Sequence, residues 1–342
     1  MKSIAIVTNG VTQLGAFLKD NLEEVLAGYV DIRLYALNAL AQPARLEEDV
    51  VLWMQKNAEA KRGDEIFKGG TIRERRENLE EQDHKGIQII QGELTRSDGQ
   101  FFHAAMGSVL QGCLMEWLSP AWAAKLHVQG VRPYSQYVLP LSKGKALWRL
   151  AIWQEEAVQE LAPRILQQAG RPFFSRQKQC SLTLQVRQVQ ALTSEDLERR
   201  SEALLTAKAL RLRFLTPASV RSQNRYMVYP QWPQLMQGLA LRRAAAGWEK
   251  PPEGLDWEAG MSLLGYELQM ARFELEKVRI PSFQGTLEFR LHRQEPAGLW
   301  AAQLLAFGEC AGVGIKTALG MGAMEVEVLP DKSGKDGKGA RP

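Results

Sequence analysis

The stretch Gly308-Glu-Cys-Ala-Gly-Val-Gly-Ile-Lys-Thr-Ala-Leu-Gly-Met-Gly-Ala-Met324 joins an apolar helical pattern at 296–308 to a strand pattern at 322–329. Its glycines, at positions 308, 312, 314, 320 and 322, predict a tightly folded loop, because glycine enters left-handed backbone conformations without a steric penalty. A helix, a loop and a closing strand in this order are the end of a β-α-β-β-α-β unit. The stretch therefore indicates a ferredoxin-like fold.

Two nucleotide-binding motifs that use glycine-rich loops do not fit this stretch. The dinucleotide fingerprint requires a third glycine where Thr317 stands, and the P-loop requires a glycine before Lys316, where Ile315 stands. Both motifs also run from strand through loop to helix, so that the phosphate meets a helix N-terminus. The loop can still bring backbone N–H groups close to phosphates, with Lys316 adding positive charge.

The chain upstream of the loop contains the same order of elements twice. For residues 206–330 the patterns predict a strand at 209–216, a helix at 232–248, helical patterning at 256–268, strands at 271–279 and 284–292, and the helix and strand named above. For residues 86–205 they predict a strand at 87–94, helical patterning at 102–126, strands at 134–141 and 145–153, a helix at 155–169 and a strand at 178–191. We therefore predict an α+β fold of two tandem ferredoxin-like (RRM-like) domains, 86–205 and 206–330.

The flanking segments differ from this tandem unit. Strand patterns at 3–8 and 30–37 enclose helical spacing at 14–26, which predicts a small α/β appendage over 1–55, to which no role is assigned. Residues 56–85 are highly charged and are predicted to be a solvated linker or helix. Residues 331–342 are polar and glycine-rich, as in disordered tails.

Composition excludes several classes of protein. Of 342 residues, 45% are hydrophobic and 24% charged, as in globular proteins. No apolar run approaches the ~18 residues of a membrane span, and the run after Ser3 is too short for a signal peptide. The three cysteines, Cys113, Cys180 and Cys310, are far apart and form no pair motif. We expect a cytoplasmic protein without a cofactor or a metal site.

Charge is distributed unevenly along the chain. Residues 1–85 carry −3 and the remainder +7, and two tracts, 161–194 and 203–248, contain no acidic residue. Aromatic residues alternate with the basic ones, for example Phe173 and Tyr226. Cations neutralise phosphates and flat rings stack on bases, so the tracts suit single-stranded nucleic acid, although a solvated basic face is an equal alternative. The RNA-binding candidates from these tracts are Arg176, Lys178, Arg221 and Arg225.

Several segments of the sequence resemble those of a known family. The segment 307–322 resembles the C-terminal glycine-rich motif of the CRISPR-associated endoribonucleases that process precursor crRNA, in the repeat-associated mysterious protein (RAMP) superfamily. Supporting matches are 212–221 (LRFLTPASVR), 225–230 (RYMVYP), 283–290 (FQGTLEFR), and Leu126-His127 followed by 132–135 (RPYS). The resemblance covers about residues 86–330 and leaves the first 85 residues outside.

The resemblance implies an activity and a set of site residues. It implies metal-independent cleavage of CRISPR repeat RNA by attack of the 2′-hydroxyl, which leaves 5′-hydroxyl and 2′,3′-cyclic phosphate ends. His127 occupies the position of the catalytic histidine, and Arg132 that of a lysine which stabilises the phosphorane. The RNA-binding residues of the loop would be Gly312, Gly314, Lys316, Gly320 and Gly322. The tyrosine that some relatives carry in the preceding helix is replaced by Gly112.

The chemistry of the histidines can also be considered without the family. Metal-free RNA cleavage needs a base, an acid and cations near the phosphate, and histidine titrates nearest neutrality. His84 lies in the charged segment, His292 ends a strand, and His103 starts a helix where a structural or RNA-contacting role is more common. By itself a histidine at a helix end is more often a cap than a catalyst, and it is the family resemblance that makes His127 the expected catalytic group.

Three functions remain open from the sequence. The first is the endoribonuclease, with repeat RNA, and further CRISPR effector subunits, as partners, acting as a monomer or homodimer. The second is a non-catalytic RNA-binding RAMP subunit of an effector complex, which the missing tyrosine leaves open. The third is a small-molecule enzyme or sensor built on residues 1–85, where we find no convergent catalytic set.

Overall fold

A computed structural model describes residues 2–8, 30–36, 86–223, 225–275 and 278–330. The strands are β1 (Lys2–Thr8), β2 (Val30–Ala36), β3 (Gly86–Arg96), β4 (Tyr134–Ser142), β5 (Lys145–Ile152), β6 (Pro172–Ser175), β7 (Cys180–Thr193), β8 (Leu210–Ala218), β9 (Val220–Ser222), β10 (Arg225–Met227), β11 (Met261–Glu274), β12 (Arg279–Leu291) and β13 (Met324–Val328). The helices are α1 (Met106–Trp117), α2 (Pro120–Val128), α3 (Glu155–Gln167), α4 (Ser194–Thr206), α5 (Trp232–Ala245), α6 (Trp257–Gly260) and α7 (Pro296–Ala311), with a 3-10 turn at Thr317–Leu319. Within these ranges no helix is long and apolar enough to cross a bilayer.

The N-terminal strands form a small sheet of their own. β1 and β2 pair in parallel, from Lys2 opposite Val30 to Thr8 opposite Ala36. They belong to one compact unit, and the two large sheets, apart from residues 189–191 of β7, belong to another. The strands predicted at 3–8 and 30–37 are confirmed, whereas the helix expected between them, the charged segment 56–85 and the tail 331–342 lie outside the described residues.

The two large sheets have the same strand order. The first is β4-β5-β3-β7-β6 and the second is β11-β12-β8-β13. When the four main strands of each half are counted in chain order, both sheets read 2-3-1-4, which is the ferredoxin-like arrangement. The short β6 adds a fifth strand at the edge of the first sheet. The α+β class and the tandem ferredoxin-like fold are confirmed.

Sequence patterns predict some boundaries of the helices and strands correctly and others wrongly. The helical pattern at 102–126 is two helices that separate at Ser119, the N-cap before Pro120. Thr193 and Asp196 form a capping box at the start of α4, as the Thr-x-x-Asp spacing indicates. The helical reading of 256–268 is wrong beyond residue 260, because that segment is the edge strand β11. Most β11 side chains are exposed, so the segment has no alternation of buried and exposed residues that would mark a strand.

Aromatic packing joins the two ferredoxin-like halves into one body. Phe307 of α7 is fully buried and contacts Trp153 of the first half and Trp248, with ring centroids 5.9 and 5.4 Å apart. Ile87 and Ile89 of β3 belong to the same buried cluster. The helix that precedes the glycine-rich loop therefore packs on the first sheet, which fixes where the loop begins.

Candidate functional site

A cleft of about 540 Å³ opens between the two ferredoxin-like halves. The first half contributes Gln111 of α1 and the turn 129–132, and the second half contributes β9, α5 and the loop 314–319. Four of the described lining residues are cationic, namely Arg132, Arg221, Arg242 and Lys316. No described lining residue is Asp or Glu. A concave surface lined with one sign of charge concentrates ligands of the opposite sign.

The glycines give the loop its path through a crowded space. Gly314 and Gly322 have φ angles of 74° and 68°, and a Cβ at either would overlap a carbonyl oxygen, that of Ser219 or Val313. Gly312, Gly320 and Gly322 are buried, whereas Gly314 is half-buried and Lys316 is exposed, and these two line the cleft. Packing accounts for the three buried glycines, and contact of the loop glycines with RNA stays a prediction.

The loop is attached to the first half through a buried amide. Gln136 of β4 donates from Nε2 to the carbonyl oxygens of Ala318, at 2.7 Å, and Gly107, at 3.0 Å. The indole N–H of Trp148 donates to Gln136 Oε1 at 2.8 Å, so both the nitrogen and the oxygen of the amide have partners. A Cβ at Gly107 would overlap the carbonyl oxygen of Leu319, so α1 also needs its glycine there. These contacts fix the loop, which lines the same cleft as Arg132.

His127 lies beside this cleft and not in its lining. It is exposed in the last turn of α2, a helix whose one buried residue is Leu126. The turn that follows it lines the cleft, and Arg132 Nη1 donates across that turn to the carbonyl of Gln129 at 2.7 Å. The structure thus brings Arg132 together with Arg221, Gly314 and Lys316, and places His127 two residues before the cleft wall.

The other RNA-binding candidates lie outside the cleft lining. Arg176 and Lys178 are in the β6–β7 turn, where Arg176 Nε is 3.7 Å from Glu116 Oε1. Lys178 lies near His103, whose pKa is lowered by loss of hydration and by the charges of Lys178 and Arg96. Arg225 is exposed on β10, opposite Ser222. Their role in RNA binding stays a prediction.

Some basic residues of the acid-free tracts are neutralised in space. Arg211 Nη2 lies 2.6 Å from Glu288, and Arg213 Nη1 lies 3.0 Å from Glu325, across neighbouring strands. These carboxylates come from β12 and β13, far away in sequence. His292 Nε2 lies 2.7 Å from Ser262 Oγ, away from the cleft lining. In the part of the chain that the structure describes, no three His, Cys, Asp or Glu side chains are grouped to hold a metal ion.

Arg242 and Gln111 are among the lining residues that were not selected from the sequence. Arg242 of α5 donates to the carbonyl of Gly314, and Gln111 of α1 accepts from the buried Tyr134 hydroxyl. Arg242 lies in the acid-free tract 203–248, so that tract was the available signal. Gln111 carries no sequence signal, because its position depends on how α1 meets the loop.

Comparisons with known proteins agree with this architecture. A family model described as CRISPR-associated endoribonuclease Cas6 matches residues 212–324. The CRISPR-associated endoribonuclease Cas6 of Mycobacterium tuberculosis (strain CDC 1551 / Oshkosh) is 31% identical over 229 residues, which cover 66% of this chain and 73% of that protein. The Streptococcus thermophilus counterpart is 27% identical over 225 residues, covering 64% and 90%. A solved Cas6 (TTHA0078) product complex has a similar fold, with a TM-score of 0.55 and 24% identity over 70% of this chain and 99% of that one.

Fold and sequence together define a RAMP-type protein built from two ferredoxin-like halves. The chain belongs to the CRISPR-associated endoribonuclease Cas6 family. It is accordingly an endoribonuclease of the CRISPR RNA-processing type, and the non-catalytic subunit considered from the sequence is the less supported reading.

Proposed function

We propose that the protein binds CRISPR repeat RNA along the cleft and cleaves precursor crRNA without a metal ion. The observation that carries the proposal is the cationic, acid-free lining that joins the turn after His127 to the glycine-rich loop. Solved Cas6 structures of similar fold are described as a product complex and a substrate mimic complex. A surface of this charge suits the phosphodiester backbone of RNA.

In the proposed reaction the RNA provides its own nucleophile. A base removes the proton of the 2′-hydroxyl, O2′ attacks the phosphorus, the P–O5′ bond breaks, and the leaving oxygen takes up a proton. His127, exposed at the end of α2, acts as the acid or the base. Arg132, fixed by its hydrogen bond to Gln129, places positive charge beside the phosphorane. The products are a 2′,3′-cyclic phosphate and a 5′-hydroxyl.

The RNA contacts are proposed from position and charge. Arg221 lines the cleft, and Tyr226 lies directly opposite it on the β9–β10 hairpin, so a cation and a ring share one face. Such a pair suits a phosphate and its stacked base. Lys316 and the backbone of Gly314 meet the strand from the loop, and Arg225 extends the contact along the hairpin. Arg176 and Lys178 bind RNA farther out on the first half.

The proposal is tested by incubating purified protein with candidate repeat RNA in excess EDTA. We expect one discrete cut in the repeat, a 5′ fragment that gains a 3′-hydroxyl only after its cyclic phosphate is hydrolysed to a monoester and then removed by a phosphatase, and a 3′ fragment that a kinase labels directly. Cleavage that requires added magnesium, or a 5′-phosphate on the downstream fragment, would refute the mechanism.

A further inference from the structure

Arg242 is a partly buried arginine whose hydrogen-bond partners in the described residues are backbone carbonyls. It lies in the last turn of α5, where its Nη1 donates to the carbonyl of Gly238 at 3.1 Å and its Nη2 to the carbonyl of Gly314. Arg200, by contrast, is paired with both oxygens of Glu309 at 2.8 Å. Among the described residues, Arg242 is within ion-pair distance of no Asp or Glu.

The position of Arg242 favours binding of an anion. Removing a guanidinium from water without a counter-ion is unfavourable, and burial lowers the pKa of Arg242 to about 10, so the group is still protonated at neutral pH. The two carbonyl acceptors leave further N–H donors of the guanidinium available. A bound anion would compensate the charge and accept those hydrogen bonds.

The surroundings of Arg242 suit a phosphate. Arg132, Arg221 and Lys316 line the same cleft, and the hydroxyls of Ser222 and Thr317 provide further donors. Guanidinium groups bind phosphate oxygens in a bidentate manner. A neutral side chain could also bond the carbonyl of Gly314, but it would not bind a phosphate in this way. The neighbouring Arg243 points elsewhere: it bonds the Glu249 carbonyl at 2.9 Å and Gln303 at 3.2 Å, and does not line the cleft.

We infer that Arg242, with Arg221 on the adjacent wall, forms a phosphate-binding subsite whose ligand is either a phosphodiester of bound RNA or a small free phosphate anion. The inference shares its cleft with the proposed function, but it requires binding only and no cleavage. Because Arg242 also holds Gly314, occupation of the subsite stabilises the glycine-rich loop in the position described above.

The test compares Arg242→Gln with the matched control Arg243→Gln on the full chain, by calorimetric titration with inorganic phosphate. We expect Arg242→Gln to weaken phosphate binding about tenfold or more, the size of a lost charged hydrogen bond, and the control to bind like wild type. A second arm measures the salt dependence of binding to 2′-O-methylated repeat RNA, which cannot be cleaved. If the slope of the logarithm of the RNA-binding constant against the logarithm of the salt concentration falls by up to ~0.7, the ligand is an RNA phosphodiester. If this slope is unchanged and phosphate binding is lost, the ligand is the free anion.

Equal phosphate affinity of wild type and Arg242→Gln would overturn the inference. It would also be overturned if the wild type bound no phosphate and, in addition, the variant bound RNA with an unchanged salt dependence. If Arg242→Gln does not fold, Arg221→Gln, an exposed residue of β9, takes its place, and unchanged phosphate affinity there is equally contradictory. Failure of the proposed function is separate: a protein that binds phosphate through Arg242 but leaves repeat RNA intact would refute cleavage alone.

Discussion

The side-chain amide of Gln136 donates a hydrogen bond to the backbone carbonyl of Ala318, 2.7 Å away and 182 residues later in the chain. Gln136 is 1% exposed, so water does not compete for this bond. The bond ties the glycine-rich loop of the second half to β4, an edge strand of the first sheet. The cleft therefore depends on a contact that neither half can make alone.

Replacing Gln136 with leucine should destabilise the protein by about 1–3 kcal/mol, because the carbonyls of Ala318 and Gly107 and the indole N–H of Trp148 lose their partner in a buried site. Denaturant unfolding measures the change. Gln177→Leu, at an exposed position of the β6–β7 turn, is the control and should change stability by less than ~0.5 kcal/mol. Equal stability of the two variants would show that the loop is held by other contacts.

Two glycines five residues apart on α1 should respond in opposite ways to alanine. A Cβ at Gly107 would overlap the Leu319 carbonyl, whereas one at Gly112 meets open space. Gly112→Ala should therefore stabilise the helix by up to about 1 kcal/mol and preserve cleavage. Gly107→Ala should lower both the unfolding temperature and the cleavage rate, since it pushes the loop away. A Gly107→Ala protein as active as wild type would contradict the described contact of α1 with the loop.

Lys316 is expected to bind an RNA phosphate from the rim of the cleft. It is exposed with a positive φ of 55°, a conformation uncommon outside glycine, and it follows the half-buried Gly314 by two residues. Lys316→Ala should weaken RNA binding and reduce its salt dependence by up to ~0.7 log unit per log unit of salt. Lys250→Ala, an exposed lysine outside the cleft lining, serves as control. Identical salt slopes for both variants would remove Lys316 from the RNA interface.

His127→Ala should lower the single-turnover cleavage rate by about two orders of magnitude or more, the usual size for a lost general acid or base, with little change in RNA affinity. His103→Ala is the matched control, since His103 is also exposed but lies next to Lys178, outside the cleft lining. A wild-type rate in His127→Ala together with a large loss in His103→Ala would move the catalytic assignment to His103.

The fold was predictable from the sequence because buried positions recur regularly in most of its elements. β3 and β8 are rich in buried apolar residues, and the loop after α7 has an unusual glycine content. β11 was misassigned since an exposed edge strand carries no such regularity. The short β6, β9 and β10 were not predicted, because they have only three or four residues each.

The site was predictable only in part. Arg132, Arg221 and Lys316 were selected for separate reasons, and the structure shows that they line one cleft. The cross-strand partners of Arg211 and Arg213 could not be foreseen, because they depend on strand register. The missing carboxylate beside Arg242 is likewise a property of packing, so an acid-free tract could suggest the residue but not its environment.

The central claim is that the RNA itself provides the nucleophile, and one substrate tests it most directly. A repeat RNA with a single 2′-deoxy substitution immediately upstream of the scissile phosphate removes that nucleophile and leaves the other contacts in place. We predict that the protein binds this RNA with nearly unchanged affinity and does not cut it, while unmodified RNA is cut in EDTA at the same protein concentration. Efficient cleavage of the deoxy substrate at the same position would contradict the account and require an activated water.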